Sequence, residues 1–414
     1  MGGDAEAGRT SPRESRRRIL VCTPFAPRLD ARHGGKPTAQ LLRTLAERND
    51  VAVLALQLDR DDHVDPAIAE RCAYVREVPS PARSPLRRRL ARSIGLVRGL
   101  PPWAVDCSSR EYTAALDRAL DEWRPDVVEI HLQAMAQYVD APARRSLPRI
   151  LVDYDPGSAW ADEVRGATRG PRRLVRRLEV AAWRRYERAT RPRFDAIVVF
   201  AERDVAAVRP TAGSATVTRI PLAVEVPAHA LDPEGVDPPT VLFVGGFGHP
   251  PNVDAAIWLA ESIFPRVVAR VPNARLQLVG QAPGRDVLAL AGGAVSVHGS
   301  VPDVTPYLDA AAVVVAPIRI GGSMRGKVLE ALAAGKALVA TPRAAEGVDA
   351  VDGEHLLVAD GEDALVEALV ALLLDRPRRR RLGENARRWA ESSLGWDSGI
   401  AAFEELYDSL AAVR

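Results

Sequence analysis

Only three lysines, Lys36, Lys327 and Lys336, occur in this 414-residue chain, in which lysine and arginine together number 56. Two of them fall in IRIGGSMRGKVLEALAAGKALVAT, residues 318 to 341. Gly321 and Gly322 end a loop, Ser323 is placed to cap a helix, and Gly335 is placed to stop it. On such a helix Lys327 and Glu330 share a face. A helix start behind glycines presents free N–H groups and a positive dipole end, and Arg325 and Lys327 add full charges there. A diphosphate fits that chemistry. One turn rises about 5.4 Å, so Glu330 could accept hydrogen bonds from a ribose diol attached to the diphosphate. The alternative is a solvated i,i+3 pair of Lys327 with Glu330, worth about 0.2 to 0.5 kcal/mol.

Other residues could also do chemistry. His131 ends an apolar run, and Glu129, two residues earlier on the same strand face, is placed to orient it. His33 lies beside a glycine pair, where histidines are commonly just solvated. Asp153-Tyr154-Asp155 invites a metal reading, but a Mg²⁺ or Mn²⁺ site needs further converging oxygen ligands, and the sequence offers none nearby; Asp155 could instead position an acceptor hydroxyl. No Ser-His-Asp order, HExxH pattern or Walker loop is present. Residues 84–103 place Leu86, Leu90, Ile94 and Val97 on one helical stripe amid Arg87, Arg88, Arg89, Arg92 and Arg98. That composition fits an interfacial helix in peripheral contact with a membrane, and also an ordinary Arg-rich surface helix.

The elements that must position these residues alternate in type. Val- and Ile-rich runs at 19–22, 51–56, 127–131, 150–154 and 196–200 alternate with helical stretches, and the series resumes from 241, 276, 295, 312, 337 and 355. Short buried strands separated by helices predict parallel sheets. The fold class is therefore α/β, with two doubly wound Rossmann-like domains facing across a cleft. Residues 1–18 read as a disordered arm and 19–222 as the first domain. Residues 223–240, rich in proline and acidic side chains, read as a linker, and 241–394 as the second domain. In residues 395–414, Ile400, Phe403, Leu406, Tyr407 and Leu410 follow helical spacing.

Composition excludes several classes. With 56 basic against 54 acidic residues the net charge is +2, which gives no chain-wide case for nucleic-acid binding. Cys22, Cys72 and Cys107 show no metal or redox spacing, so a reducing, cytoplasmic setting is expected, and no secretory signal or membrane span is recognisable.

The segment GGSMRGKVLEALAAG resembles the donor motif of the GT-B glycosyltransferases of family 4, whose LEAMAxGxPVVAT pattern is matched by LEALAAGKALVAT at 329–341. VLFVGGFGHPPNVDAAIWL is similar to that family's opening strand and loop, GSVPDVTPYLDAAAVVVAP to its nucleobase loop, and AAEGVDAVDGEHLLVAD to its segment after the donor site. In the first half, TPFAPRLDARHGGKPTAQLLRTLAERNDV resembles its glycine-rich loop. The resemblance implies retaining transfer of a sugar from a UDP- or GDP-linked donor to a hydroxyl of a glycan, lipid-linked or small-molecule acceptor, with no cofactor and no metal. It implies catalytic roles for Arg325, Lys327 and His131, and donor contacts from Gly34, Gly35, Lys36, Gly245, Gly246, Val301, Gly321, Gly322, Ser323, Met324 and Glu330. Lys336 falls in the family's GxP turn. It also implies that the last helix, 395–414, crosses back onto the first domain. Gly322 stands where family members usually carry a first glutamate, and SMRGK resembles the basic-pair variant of a subgroup. A sugar-nucleotide epimerase on this fold and a non-catalytic nucleotide-sugar-binding subunit are the alternative functions.

Overall fold

The computed structural model describes residues 16–29, 35–57, 62–81, 84–168, 170–321 and 326–412. Seven strands form the first sheet: β1 (Arg18–Thr23), β2 (Asp50–Gln57), β3 (Tyr74–Pro79), β4 (Val127–His131), β5 (Arg149–Val152), β6 (Ala196–Val199) and β7 (Thr216–Arg219). Their spatial order is β3-β2-β1-β4-β5-β6-β7, with every neighbour parallel. The second sheet contains β8 (Thr240–Val244), β9 (Arg275–Val279), β10 (Val295–His298), β11 (Val313–Ala316), β12 (Leu338–Ala340) and β13 (Leu357–Val358). Its order, β10-β9-β8-β11-β12-β13, is again fully parallel. Both are doubly wound, because the chain leaves the first strand toward one edge and then returns to build the other.

The central strands bury both faces, which is why they read as unbroken apolar runs: all of β4 is buried, as are all residues of β1 after Arg18. The edge strands β3 and β7 are mostly half-exposed, and neither stood out in the sequence. Helices on both faces complete the cores. Ile400, Phe403, Leu406 and Tyr407 of the final helix, Trp396–Ala412, belong to the core formed by Ile19, Val21, Val51 and Val53 of the first sheet. No described helix is long and apolar enough to cross a membrane.

Arg16 and Arg17 are held by the first domain and the final helix, since Arg16 donates to the Asp50 carboxylate and Arg17 to Asp408. Residues 1–15 of the expected arm lie outside the described residues. Residues 223–240 run tightly along the second domain rather than as a loose tether. The Leu231 N–H donates to the Ala334 carbonyl and the Val236 N–H to the Ala310 carbonyl. Lys336 is fully buried and donates through Nζ to the carbonyls of Asp232 and, at 3.0 Å, Asp309. Burial pulls its ammonium down to about 8. This lysine is a structural clip.

Candidate active site

In the second sheet β8 and β11 are neighbours whose connections diverge, which opens a crevice at their carboxyl ends. The crevice is lined by Val244 at the end of β8, Val314, Val315 and Ala316 of β11, Val304 and Leu308, and then Lys327 and Glu330. The last two stand on the helix Gly326–Ala333, which follows β11 after a loop. Val328, Leu329 and Leu332 bury one side of this helix and leave Lys327 and Glu330 half-exposed toward the crevice. It stops in a Schellman arrangement: Gly335 sits at φ +73°, its N–H donates to Leu332, and the Lys336 N–H donates to Ala331. The helix start expected at Ser323 falls outside the described residues. Gly322, Ser323, Met324 and Arg325 lie outside the described residues, as do His33 and Gly34.

Lys327 Nζ donates to Asn252 Oδ1 at 2.9 Å, and Asn252 Nδ2 donates to the Gly246 carbonyl at 2.8 Å. An ammonium can only donate and a carbonyl can only accept, so these two bonds fix the orientation of the amide. Asn252 thereby joins the glycine turn after β8 to the helix Gly326–Ala333. A Cβ on Gly245 would lie 2.9 Å from Asn252 Cγ, and one on Gly280 only 2.0 Å from the Gly245 carbonyl oxygen. The turn is thus held close on both sides. Asn252 was not singled out from sequence; the local signal was only a polar residue directly after two prolines that open a helix, and its burial is seen in the structure alone.

Lys36 meets Glu330 across the cleft, Nζ to Oε1 3.0 Å. The sequence suggested Lys36 in a loop facing phosphate. The structure places it on the first turn of the helix Gly35–Arg48, followed by Pro37, whose fixed φ suits a helix start. The two side chains remain 46% and 40% exposed, so a ligand can reach both. Asp303, which caps the helix Thr305–Ala310 through the Thr305 N–H at 2.9 Å, also feels the Lys36 charge. Val301 packs against the second core, so it is Val304 and Leu308 that reach the crevice from this segment.

The loop before the helix is braced from several directions. Thr341 Oγ1 donates to the Ile318 carbonyl at 2.6 Å, and Arg319 pairs with Asp254 while lying over the Trp258 ring. Arg343 Nε donates to the Gly321 carbonyl at 2.9 Å, and the same guanidinium pairs with Glu163 of the first domain. Two more ion pairs cross between domains, Arg203 with Glu346 at 2.7 Å and Arg219 with Asp349 at 2.6 Å. These pairs border a second pocket, open to solvent and lined by Tyr154, Phe200, Leu329 and Trp389 among others.

His131 is placed differently from its expected role beside a donor sugar. It is fully buried, with Nδ1 2.9 Å from the Tyr154 hydroxyl and Nε2 2.9 Å from Glu129 Oε2. Thr38 Oγ1 lies 2.6 Å from the same tyrosine hydroxyl, and Tyr407 of the final helix donates to Glu129 Oε1. Both imidazole nitrogens have protein partners and no surface faces the cleft, which is the geometry of a structural histidine. Asp153 is buried against Arg191 at 3.1 Å, and desolvation raises its carboxyl to about 6 despite that guanidinium. Among the described residues no group of three His, Cys, Asp or Glu side chains is placed to hold a metal ion.

Residues 238–375 match the family model described as Glycosyl transferases group 1. Over 94 to 96% of its length the chain superimposes on solved structures of the GT-B fold. Sucrose-phosphate synthase from Thermosynechococcus elongatus aligns with a TM-score of 0.69 at 18% identity, covering 96% of this chain and 100% of that one. The fold is GT-B. Anabaena HepE, crystallised with UDP and glucose, gives 0.62 at 12% identity over 94% of this chain and 99% of its own. The α,α-trehalose-phosphate synthase (UDP-forming) of Burkholderia vietnamiensis gives 0.60 at 12%, covering 95% and 100%. An uncharacterized glycosyltransferase of Methanocaldococcus jannaschii is 28% identical over 94 residues, 22% of this chain. That match spans about a quarter of the relative, 24% of its length.

Proposed function

We propose that this protein is a retaining glycosyltransferase that moves a sugar from a nucleoside diphosphate donor to an acceptor hydroxyl. The observation that carries the reading is the placement of Lys327 and Glu330 at the switch-point crevice of the second sheet, facing Lys36 of the first domain. Val304 and Leu308 offer an apolar wall for a nucleobase, and Glu330 an acceptor for the ribose diol. Lys327, held by Asn252, reaches the diphosphate one turn nearer the helix start.

As the glycosidic bond breaks, negative charge grows on the leaving diphosphate. The starts of the helices Gly35–Arg48 and Gly326–Ala333 supply N–H groups and dipole ends from the two sides of the cleft, and Lys36 and Lys327 supply charge. Groups already oriented before the bond breaks stabilise that charge without reorganising. Gly34, Gly35, Gly245, Gly246 and Gly321 are proposed as close-approach backbone around the donor, with Ser323, Met324 and Arg325 completing it. His131 acts as scaffold in this account, and no protein nucleophile or metal is assigned. UDP is the first nucleotide to test, since HepE was crystallised with it, and GDP the second.

A thermal-shift panel of nucleoside diphosphates and their sugar conjugates, run in EDTA, tests the reading. UDP or GDP and one of its sugar conjugates should raise the melting temperature. Failure of every diphosphate to do so would remove the donor site. Anomeric configuration of the transferred sugar, read by NMR, then decides retention, and epimerised donor formed without acceptor would favour the epimerase.

A further inference from the structure

The helix Pro85–Val97 is almost unburied: of its thirteen residues only Gly95 is enclosed, and the first six are all exposed. Leu86, Leu90, Ile94 and Val97 repeat at helical spacing on one stripe, with exposures of 77%, 60%, 44% and 90%. Isolated helices of this length are marginal in water, because tertiary packing normally supplies their stability. The visible anchorage is polar and small: Arg88 and Arg92 fold back onto Asp106, and Gly95 lies against Val105.

A second exposed stripe lies on the neighbouring helix Arg172–Thr190, which touches the first. Its carboxyl half is buried through Val180, Trp183 and Tyr186, whereas Leu174, Val175 and Leu178 are exposed by more than half. This helix runs about 28 Å at 1.5 Å per residue and leads into β6, a strand of only about 13 Å, so its first turns overhang the sheet. Leu100 and Trp103, just beyond the first helix, are exposed as well, whereas the remaining exposed large apolar residues among those described, Val236, Leu288, Val351 and Leu374, are scattered. The two stripes form a surface feature of a kind that marks an interaction site.

Charge selects the occupant. Residues 84–103 contain five arginines and no acidic residue, and Arg87, Arg89 and Arg98 are exposed. Arg172, Arg173 and Arg177 are exposed beside the second stripe. A second copy of this chain would set arginine against arginine, and a nucleic acid would leave the leucines in water. A bilayer bearing anionic headgroups satisfies both features, taking the apolar side chains into the headgroup boundary and the guanidiniums at its phosphates.

We propose that this face docks on an anionic lipid bilayer. Glu163, on the helix Gly157–Ala167 that precedes the overhanging one, pairs with Arg343 of the second domain, so the docked face adjoins the mouth of the cleft. Docking does not depend on which reaction the cleft carries out.

Cosedimentation of the full chain with phosphatidylcholine vesicles, with and without phosphatidylglycerol, tests it. Binding should require phosphatidylglycerol and weaken as salt rises. Leu90→Asp combined with Val97→Asp should reduce it by at least about tenfold, since two exposed apolar anchors are lost without disturbing a core. Leu174→Asp combined with Leu178→Asp should act in the same direction, and Leu374→Asp on the second domain should bind like the unaltered protein. Absence of binding to phosphatidylglycerol vesicles at low salt would overturn the proposal. So would unchanged binding by both double variants, or a dimer in solution that Leu90→Asp with Val97→Asp converts to monomer.

Discussion

Two polar clusters of opposite character lie in the molecule, one inside the first domain and one at the cleft. On the first domain Thr38, Tyr154, His131, Glu129 and Tyr407 form a chain of hydrogen bonds with almost no exposed surface. At the cleft Lys327, Glu330 and Asn252 of the second domain, with Lys36 reaching over from the first, are bonded too, yet three of the four side chains remain half-exposed or more. A closed network resists loss of any member, because the orphaned partners stay buried. An open one can exchange protein partners for a ligand at little cost. Burial rather than residue type therefore separates scaffold from site, and His131 shows how a residue of catalytic type can fall on the scaffold side.

The largest expected effect comes from removing the final helix. Deleting residues 395–414 strips Ile400, Phe403 and Tyr407 from the first domain's core, and each such loss is worth roughly 2 to 5 kcal/mol. Hydrogen exchange should show the first domain loosened at least as much as the second, and the reverse pattern would reject this account of the helix. Next comes Glu129→Ala, which leaves the His131 and Tyr407 donors unpaired. Two hydrogen bonds to a buried carboxylate are lost, so urea unfolding should register a deficit of roughly 3 kcal/mol. Nucleotide affinity of the folded variant should be unchanged, and a fall in affinity at intact stability would return His131 to the active site.

The smallest effect is the most specific to the cleft. A double-mutant cycle on Lys36 and Glu330 without ligand should give a coupling of about 1 kcal/mol or less, fading with salt, as exposed ion pairs do. Saturating nucleoside diphosphate should abolish that coupling if the ribose and diphosphate take over the two side chains. Persistence of the coupling in the complex would mean that the ligand bypasses this pair.

Much of the architecture was legible because buried parallel strands are written as apolar runs, and all six strands of the second sheet were found that way. The edge strands of the first sheet were not. β3 reads YVREVP and β7 TVTR, half-covered sequences in which charged residues interrupt any apolar pattern. In the site, Lys327 and Glu330 were visible through local helix spacing, and the pairing of Glu129 with His131 through strand alternation. Their remaining partners were hidden by distance along the chain: Asn252 is 75 residues from Lys327, Lys36 is 294 from Glu330, and Tyr407 is 278 from Glu129. From sequence Lys336 was placed only in a turn after the helix of Lys327 and carried no site role. Only burial reveals it as the clip that holds residues 223–240 to the second domain.

Calorimetric titration of Lys327→Ala with a nucleoside diphosphate and with the corresponding nucleoside tests the central claim most directly. A hydrogen bond to a charged group is worth about 1.5 to 3 kcal/mol, so diphosphate affinity should fall roughly 10- to 100-fold while the nucleoside binds as before. Glu330→Gln, run beside it, should weaken both ligands and leave a 2′,3′-dideoxy analogue nearly unaffected. Equal loss of diphosphate and nucleoside affinity in Lys327→Ala would contradict the assignment of this lysine to the leaving diphosphate.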